Sequence, residues 1–253
     1  MSRKVILAFA VATALAMGGV LGPLVVPAGS VVEAAPPGKC AGLPDDAALK
    51  GFLAAAPSVD AGGLFTGTRM WGAVVNRDGE VCAFATSTAD PTQVWPGSQA
   101  IAKAKAYTAN AFSLDTLALS TAMLYTFTQP GHSLWSLGQS NLFNPGALAA
   151  PSFSGGKNQI AGGLIFFGGG LALYNAAGKI VGGLGISGDT SCTDHEIAKR
   201  VRTAAALNPP GGSLVDDISY SSVDGASVFT HPLCVNTWRN GVFIGEEAVA
   251  AGY

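Results

Sequence analysis

The sequence predicts an α+β fold in which a mostly antiparallel sheet, built from two β-hairpins, carries helices packed on it. Two observations carry this. AVVNRDGEVCAFATS (73–87) and ALYNAAGKIVGGLGIS (172–187) both run strand, Asn-x-x-Gly, one charged residue, strand. In each, Asn76 or Asn175 starts a tight turn and Gly79 or Gly178 supplies the positive φ such loops need. Each hairpin is also followed by a stretch of helical periodicity, and strands joined by tight turns pair antiparallel.

The elements follow in order. Arg3 and Lys4 precede an uncharged apolar run from Val5 to Leu21, and Val32-Glu33-Ala34 resembles a peptidase site, so residues 1–34 are expected to be a secretory signal peptide. An uncleaved membrane anchor is the competing reading. Cleavage leaves 219 residues and moves the formal charge from −2 to −3, because Arg3, Lys4 and Glu33 depart. That length suits one domain, 35–253, with a C-terminal extension from about residue 209. A first helix is expected over Asp45 to Ala56, then the first hairpin, with LFTGTRMWGAVV as a candidate extension of its leading strand. PGSQAIAKAKAYTANAFS reads as a helix capped by Ser98, with Ile101, Ala104, Lys105, Thr108 and Phe112 on one face. A second helix is expected over Leu114 to Phe127, ending before Gln129-Pro130-Gly131, and IAGGLIFFGGGLALY (160–174) adds a strand ahead of the second hairpin. TDHEIAKRVRTAAAL then forms a helix stopped by Asn208-Pro209-Pro210-Gly211-Gly212.

Composition narrows the function classes. Charged residues make up 12% of the chain and no basic run exists, which argues against a nucleic-acid partner. Past the leader no apolar stretch approaches the length of a membrane span, so no membrane association is expected after cleavage. Four cysteines, Cys40, Cys82, Cys192 and Cys234, form an even set that in an exported chain points to disulfides, with three pairings open. No CxxC, CxxCH or zinc-finger spacing is present.

Two motifs invite the wrong conclusion. GLGISG (183–188) matches the spacing of a dinucleotide fingerprint, yet its strand is the second arm of a hairpin, not the first strand of a βαβ unit. Gly183, Gly185 and Gly188 are therefore expected to permit close packing and to bind no nucleotide. Cys192, Asp194, His195 and Glu196 resemble a metal cluster, but Thr193 and Glu196 have capping-box spacing and Asp194 suits a helix N-terminus, so no metal is expected there. His195 reads as a neutral surface imidazole. There is no GxSxG, HExxH or P-loop, and no catalytic group is assigned.

The ligand-binding candidates are Lys105, Thr108, His132 and His195. Lys105 on an apolar helix face must snorkel, pair, or face a cavity holding an anion. His132 lies on a loop with Trp135 and Gly138, while His231 beside Pro232 reads as structural.

MWGAVVNRDGEVCA, WPGSQAIAKAKAYTANAFS, LALSTAMLYTFTQPGHSLWSLGQSN and GGGLALYNAAGKIVGGLGISGDTSCTDHEIAKRVR together resemble the GlcG/HbpS family over roughly Gly72 to Val201. The resemblance implies a profilin-like α+β fold, assembly into homo-oligomers, and binding of haem or a related tetrapyrrole by some members. Departures are the export signal, an insert around Leu142 to Asn158, the four cysteines and the tail after Asn208. The expectation is an exported haem-binding accessory protein, periplasmic or secreted, that scavenges, senses or degrades haem and is not a conventional enzyme. The alternatives are a binder or enzyme for a small hydroxy acid such as glycolate, with Lys105 on the carboxylate, and an oligomeric structural module without ligand. Haem requires an apolar slot, a cation for its propionates and an optional axial donor. The pocket is accordingly expected between the Lys105/Thr108 helix and the His132 loop, with His195 as competing donor. Cys40 is expected to pair with Cys82 and Cys192 with Cys234, each bridge tying a peripheral segment to the central domain.

Overall fold

A computed structural model describes residues 39–148 and 155–251; the expected signal peptide lies outside them. The described residues belong to one compact unit. Its centre is a four-stranded antiparallel sheet of β1 (Trp71–Asn76), β2 (Val81–Thr86), β3 (Gly170–Tyr174) and β4 (Ile180–Ser187) in the order β2-β1-β4-β3. The two hairpins thus lie side by side, joined by β1 and β4 in continuous register from Trp71 opposite Ser187 to Asn76 opposite Gly182. Both turns form as their residues dictate. Gly79 and Gly178 take φ of 84° and 72°, and Asn76 and Asn175 accept bonds from the backbone N–H groups of Glu80 and Lys179.

Helices cover both faces. On one side lie α1 (Asp46–Ala55), capped by the Asp45 carboxylate on Ala48 N–H, and α3 (Ser191–Ala204). Leu49, Leu53, Ile197 and Val201 from these helices pack on Val74, Leu171, Leu173, Leu184 and Ile186 of the sheet. Opposite them α2 (Ser98–Phe112) lies on Ala73 and Val75 through Ala102 and Ala106. Here the strand-4 glycines serve the packing role expected of them. A Cβ on Gly183 would overlap the Ala106 carbonyl oxygen, and one on Gly185 would overlap that of Ala102. Helix and strand backbones touch with no side chain between them. Gly188, at φ 156°, lies against the Arg69 carbonyl where the chain turns toward α3.

Four expectations about elements are corrected. Ser98 does not cap α2; it is the first helical residue, and Gly97 holds the cap position without a side-chain bond. Residues 114–127 form no α-helix but a Leu114–Leu117 turn and two short 3₁₀ segments, Ala122–Leu124 and Thr126–Thr128. Hydroxyl groups divert the backbone there: Ser113 Oγ bonds both N–H and C=O of Leu119, and Thr121 Oγ1 donates to Phe167 C=O and accepts from Gly170 N–H. The strand expected from residue 160 begins only at Gly170, because Gly162, Gly163 and Gly169 take positive φ, leaving isolated bridges at Ile160 and Gly162. The first hairpin is likewise not extended upstream, since 64–67 wrap around the Asp189 carboxylate, which accepts from Leu64, Phe65 and Gly67 N–H.

After α3 the chain folds back as a tail of short pieces: β5 (Ser219–Tyr220) parallel to β6 (Thr230–His231), α4 (Ser221–Asp224), and the hairpin β7 (Thr237–Arg239)–β8 (Val242–Gly245). Both disulfides pair as expected, Cys40 with Cys82 and Cys192 with Cys234. The first fastens the segment before α1 to β2, and the second fastens the tail to the start of α3.

Candidate functional site

Helix α3 organises the site. Its cap is Thr190, whose hydroxyl accepts from Thr193 N–H, three residues before the Thr193 cap expected from the sequence. That displacement carries Asp194, His195 and Glu196 into the body of the helix, where every residue from Cys192 to Lys199 is buried. The sheet covers one side and the tail covers the other.

The polar side chains enclosed in this way pair off. Lys105 neither snorkels nor faces an anion cavity: it is fully buried, donating to Asp194 Oδ2 at 2.6 Å and to Ile186 C=O at 2.9 Å. Burial raises the Asp194 carboxyl to about 6 against the attraction of Lys105, and burial likewise lowers Lys105. Thr108 is also used up, donating to Ala104 C=O and accepting from Ile165 N–H. On the tail side Arg202 holds Asp216 through two bonds of 2.8 and 2.6 Å, with both side chains inaccessible to solvent. Lys199 joins Glu196 at 2.5 Å and Asp217 at 2.7 Å. His195 is not on the surface; it is wholly buried, with Nε2 3.4 Å from Asp217 Oδ1. Burial pushes the Asp217 carboxyl up, but His195 and Lys199 outweigh it and hold the group well below the usual carboxylate range. His231 is structural as read: Nδ1 donates to Pro232 C=O at 2.7 Å, Nε2 accepts from Gly168 N–H at 3.3 Å, and burial keeps its pKa near about 3.

Lys105 and Thr108 are thus spent on internal bonds, and neither lines a cavity with His132 among the described residues. His132 instead lines a cleft of 670 Å³ between residues 125–132, the first residues of α3 and the tail. Its walls include Tyr125, Gln129 and His132 on one side, Thr190 and Ser191 at the α3 N-terminus, and Leu233, Cys234 and Ala248 from the tail. His195 does not line it. Glu247 is the one Asp, Glu, Lys or Arg in the lining, and the α3 N-terminus, the positive end of the helix dipole, borders the cleft at Thr190 and Ser191.

Tyr125, Ser191 and the tail wall were not singled out from sequence. The Cys192–Cys234 pairing was the available signal, since it puts the tail against the start of α3, where Ser191 is the neighbouring residue.

Helices on both faces of two joined hairpins, with a cleft where a helix N-terminus meets an appended tail, define a small α+β domain. The chain belongs to the HbpS-like family, whose model, described as haem degrading protein HbpS-like, matches residues 54–203. Among solved structures it is similar to PduOC in complex with haem, at 26% identity over 55% of this chain and 80% of that one, with a TM-score of 0.40. It is also similar to the Klebsiella pneumoniae protein ORFY, at 22% identity over 55% of this chain and 76% of that one, TM-score 0.39. HbpS itself is 22% identical over 62% of this chain and 86% of that one, TM-score 0.37. No match is found among curated proteins.

Proposed function

We propose that this is an exported haem-binding accessory protein that uses the cleft beside the α3 N-terminus. The observation that carries the reading is the meeting in one cleft of an imidazole, His132, and a phenol, Tyr125, both of which are groups that ligate haem iron, against an apolar wall of Leu233, Val235 and Ala248. The residues fit the cofactor in the donor and the slot; the propionates would meet the α3 N-terminus and the Ser191 hydroxyl in place of a lysine. Haem would supply redox-active iron, the chemistry from which its degradation in this family follows. His132 and Tyr125 would hold the group, and the tail would exclude water. Membership of a haem-degrading family supports the ligand class. Two disulfides support an oxidising compartment. A single domain over 35–253 and assembly into a homo-oligomer belong to the same proposal.

The hydroxy-acid reading depended on Lys105 as the carboxylate's cation, and the Asp194 contact removes that support. Titrating the full chain with haemin tests the proposal. A saturable Soret shift that is weakened at least tenfold in His132→Ala, with Lys105→Met unchanged in position, is expected. Equal affinity in wild type, His132→Ala and Tyr125→Phe would place the haem elsewhere.

A further inference from the structure

The Cys192–Cys234 bridge lies within a cluster of donors that the haem proposal does not use. One Sγ from each cysteine and one ring nitrogen of His231 all lie within 4.8 Å of one another. Donors around a tetrahedral zinc ion stand about 3.5 to 4 Å apart. Opening the S–S bond and rotating the side chains is thus sufficient to bring two sulfurs and one nitrogen onto one ion.

Their surroundings favour the reduced, ionised sulfurs. Cys192 is the second residue of the 14-residue α3, where the helix dipole stabilises a thiolate. Cys192 N–H points at Cys234 Sγ at 3.2 Å, and Ser191 Oγ lies 3.4 Å from the same sulfur. Stabilising the thiolates makes the disulfide easier to reduce. Nδ1 of His231 is fixed by Pro232 C=O, the kind of outer bond that orients metal-bound imidazoles, while the lone pair of Nε2 is engaged by the long contact from Gly168 N–H. Ser191 and Cys234 both line the cleft, which gives an ion a way in and leaves room for water as a fourth ligand.

We propose that Cys192, Cys234 and His231 form a redox-gated S₂N site for a soft d¹⁰ cation of the zinc(II) class, closed while the disulfide stands and opened by reduction. An external dithiol gives two electrons and two protons, its own sulfurs joining as the Cys192–Cys234 bond breaks into two thiols. Binding of the divalent ion then releases those two protons and leaves two thiolates on the metal. The other bridge offers no such site: Cys40 and Cys82 have no imidazole in a donor cluster among the described residues.

The test uses the full chain with Cys40→Ala and Cys82→Ala, so that only the proposed pair remains. The protein is reduced with a phosphine, loaded with zinc(II) or cobalt(II), and dialysed. One bound zinc per chain, tetrahedral cobalt d–d bands, and near-UV dichroism retained are expected after reduction, with none bound when oxidised. His231→Ala should weaken zinc binding at least tenfold and remove the tetrahedral cobalt spectrum, and Cys192→Ser should abolish both. Zinc binding unaffected by His231→Ala, no binding by the reduced chain, or loss of the folded dichroism on reduction would each overturn the proposal, since the site needs all three donors held by the fold.

Discussion

The two faces of the central sheet solve the same packing problem in opposite ways. Toward α1 and α3 the strands present Val74, Leu171, Leu173, Leu184 and Ile186, an interlocking aliphatic layer. Toward α2 they present Ala73 and Val75 beside Gly183 and Gly185, and over the two glycines the helix sits with its backbone on theirs. Room for the enclosed pair comes from a further glycine, Gly169, where a Cβ would meet both the Lys105 amine and Asp194, so that Lys105 reaches Asp194 of α3. One face is therefore packed through an aliphatic layer throughout, and the other adds direct backbone contact and an enclosed charge pair to its apolar cluster.

The largest test of this contrast is to remove one charge. Lys105→Met leaves Asp194 buried without its cation and is expected to cost about 3–5 kcal/mol in urea unfolding. Adding Asp194→Leu should recover most of that loss; a double variant no better than the single one would mean that the pair does more than neutralise itself. On the aliphatic face Leu53→Ala, at a site with no solvent exposure, is expected to cost about 3–4 kcal/mol. Next comes Gly185→Ala, where an added methyl makes a residue more hydrophobic yet should destabilise by about 2–3 kcal/mol, because it meets a backbone carbonyl. A stabilising Gly185→Ala would break the comparison outright.

The smallest effect is on pH. Asp217 is held low by His195 and Lys199, so its contribution is present above the ordinary carboxylate value near about 4 and is lost as the medium becomes more acidic. Asp194 runs the other way: raised to about 6, it is easier to protonate folded than unfolded, and its term favours the fold as pH drops from 6 toward 4. Thermal melts from pH 7 to 3 should show a shallower acid decline for Asp217→Asn than for wild type, and a steeper one for Asp194→Asn.

Legibility in the sequence tracks the distance over which each feature is decided. Both hairpins were readable because Asn-x-x-Gly acts within four residues, and the role of Gly183 and Gly185 followed once the hairpin was placed. The helix expected over 114–127 failed because Ser113 and Thr121 spend their hydroxyls on backbone groups, in the case of Thr121 on Phe167 and Gly170, which no local pattern announces. Two threonines, 190 and 193, competed for one cap, and the wrong choice left His195 on the surface. Lys105 was marked as unusual by its apolar face, but its partner lies 89 residues away. His132 was readable as a loop imidazole; the walls around it come from the tail, whose irregular sequence carries no periodicity to place it.

The tail that closes the cleft also fixes when the cleft comes into being. Synthesis proceeds from the amino end, so the sheet and its three main helices are complete once residue 204 has emerged. Leu233, Cys234 and Ala248, which form the far wall, arrive only afterwards. A chain interrupted between these points would have Cys192 unpaired, Arg202 lacking Asp216, and the cleft without its far wall. The complete cleft is in this way reserved for chains synthesised past its far wall, and an unfinished product carries a free thiol and a guanidinium without its carboxylate by which it differs from the finished one.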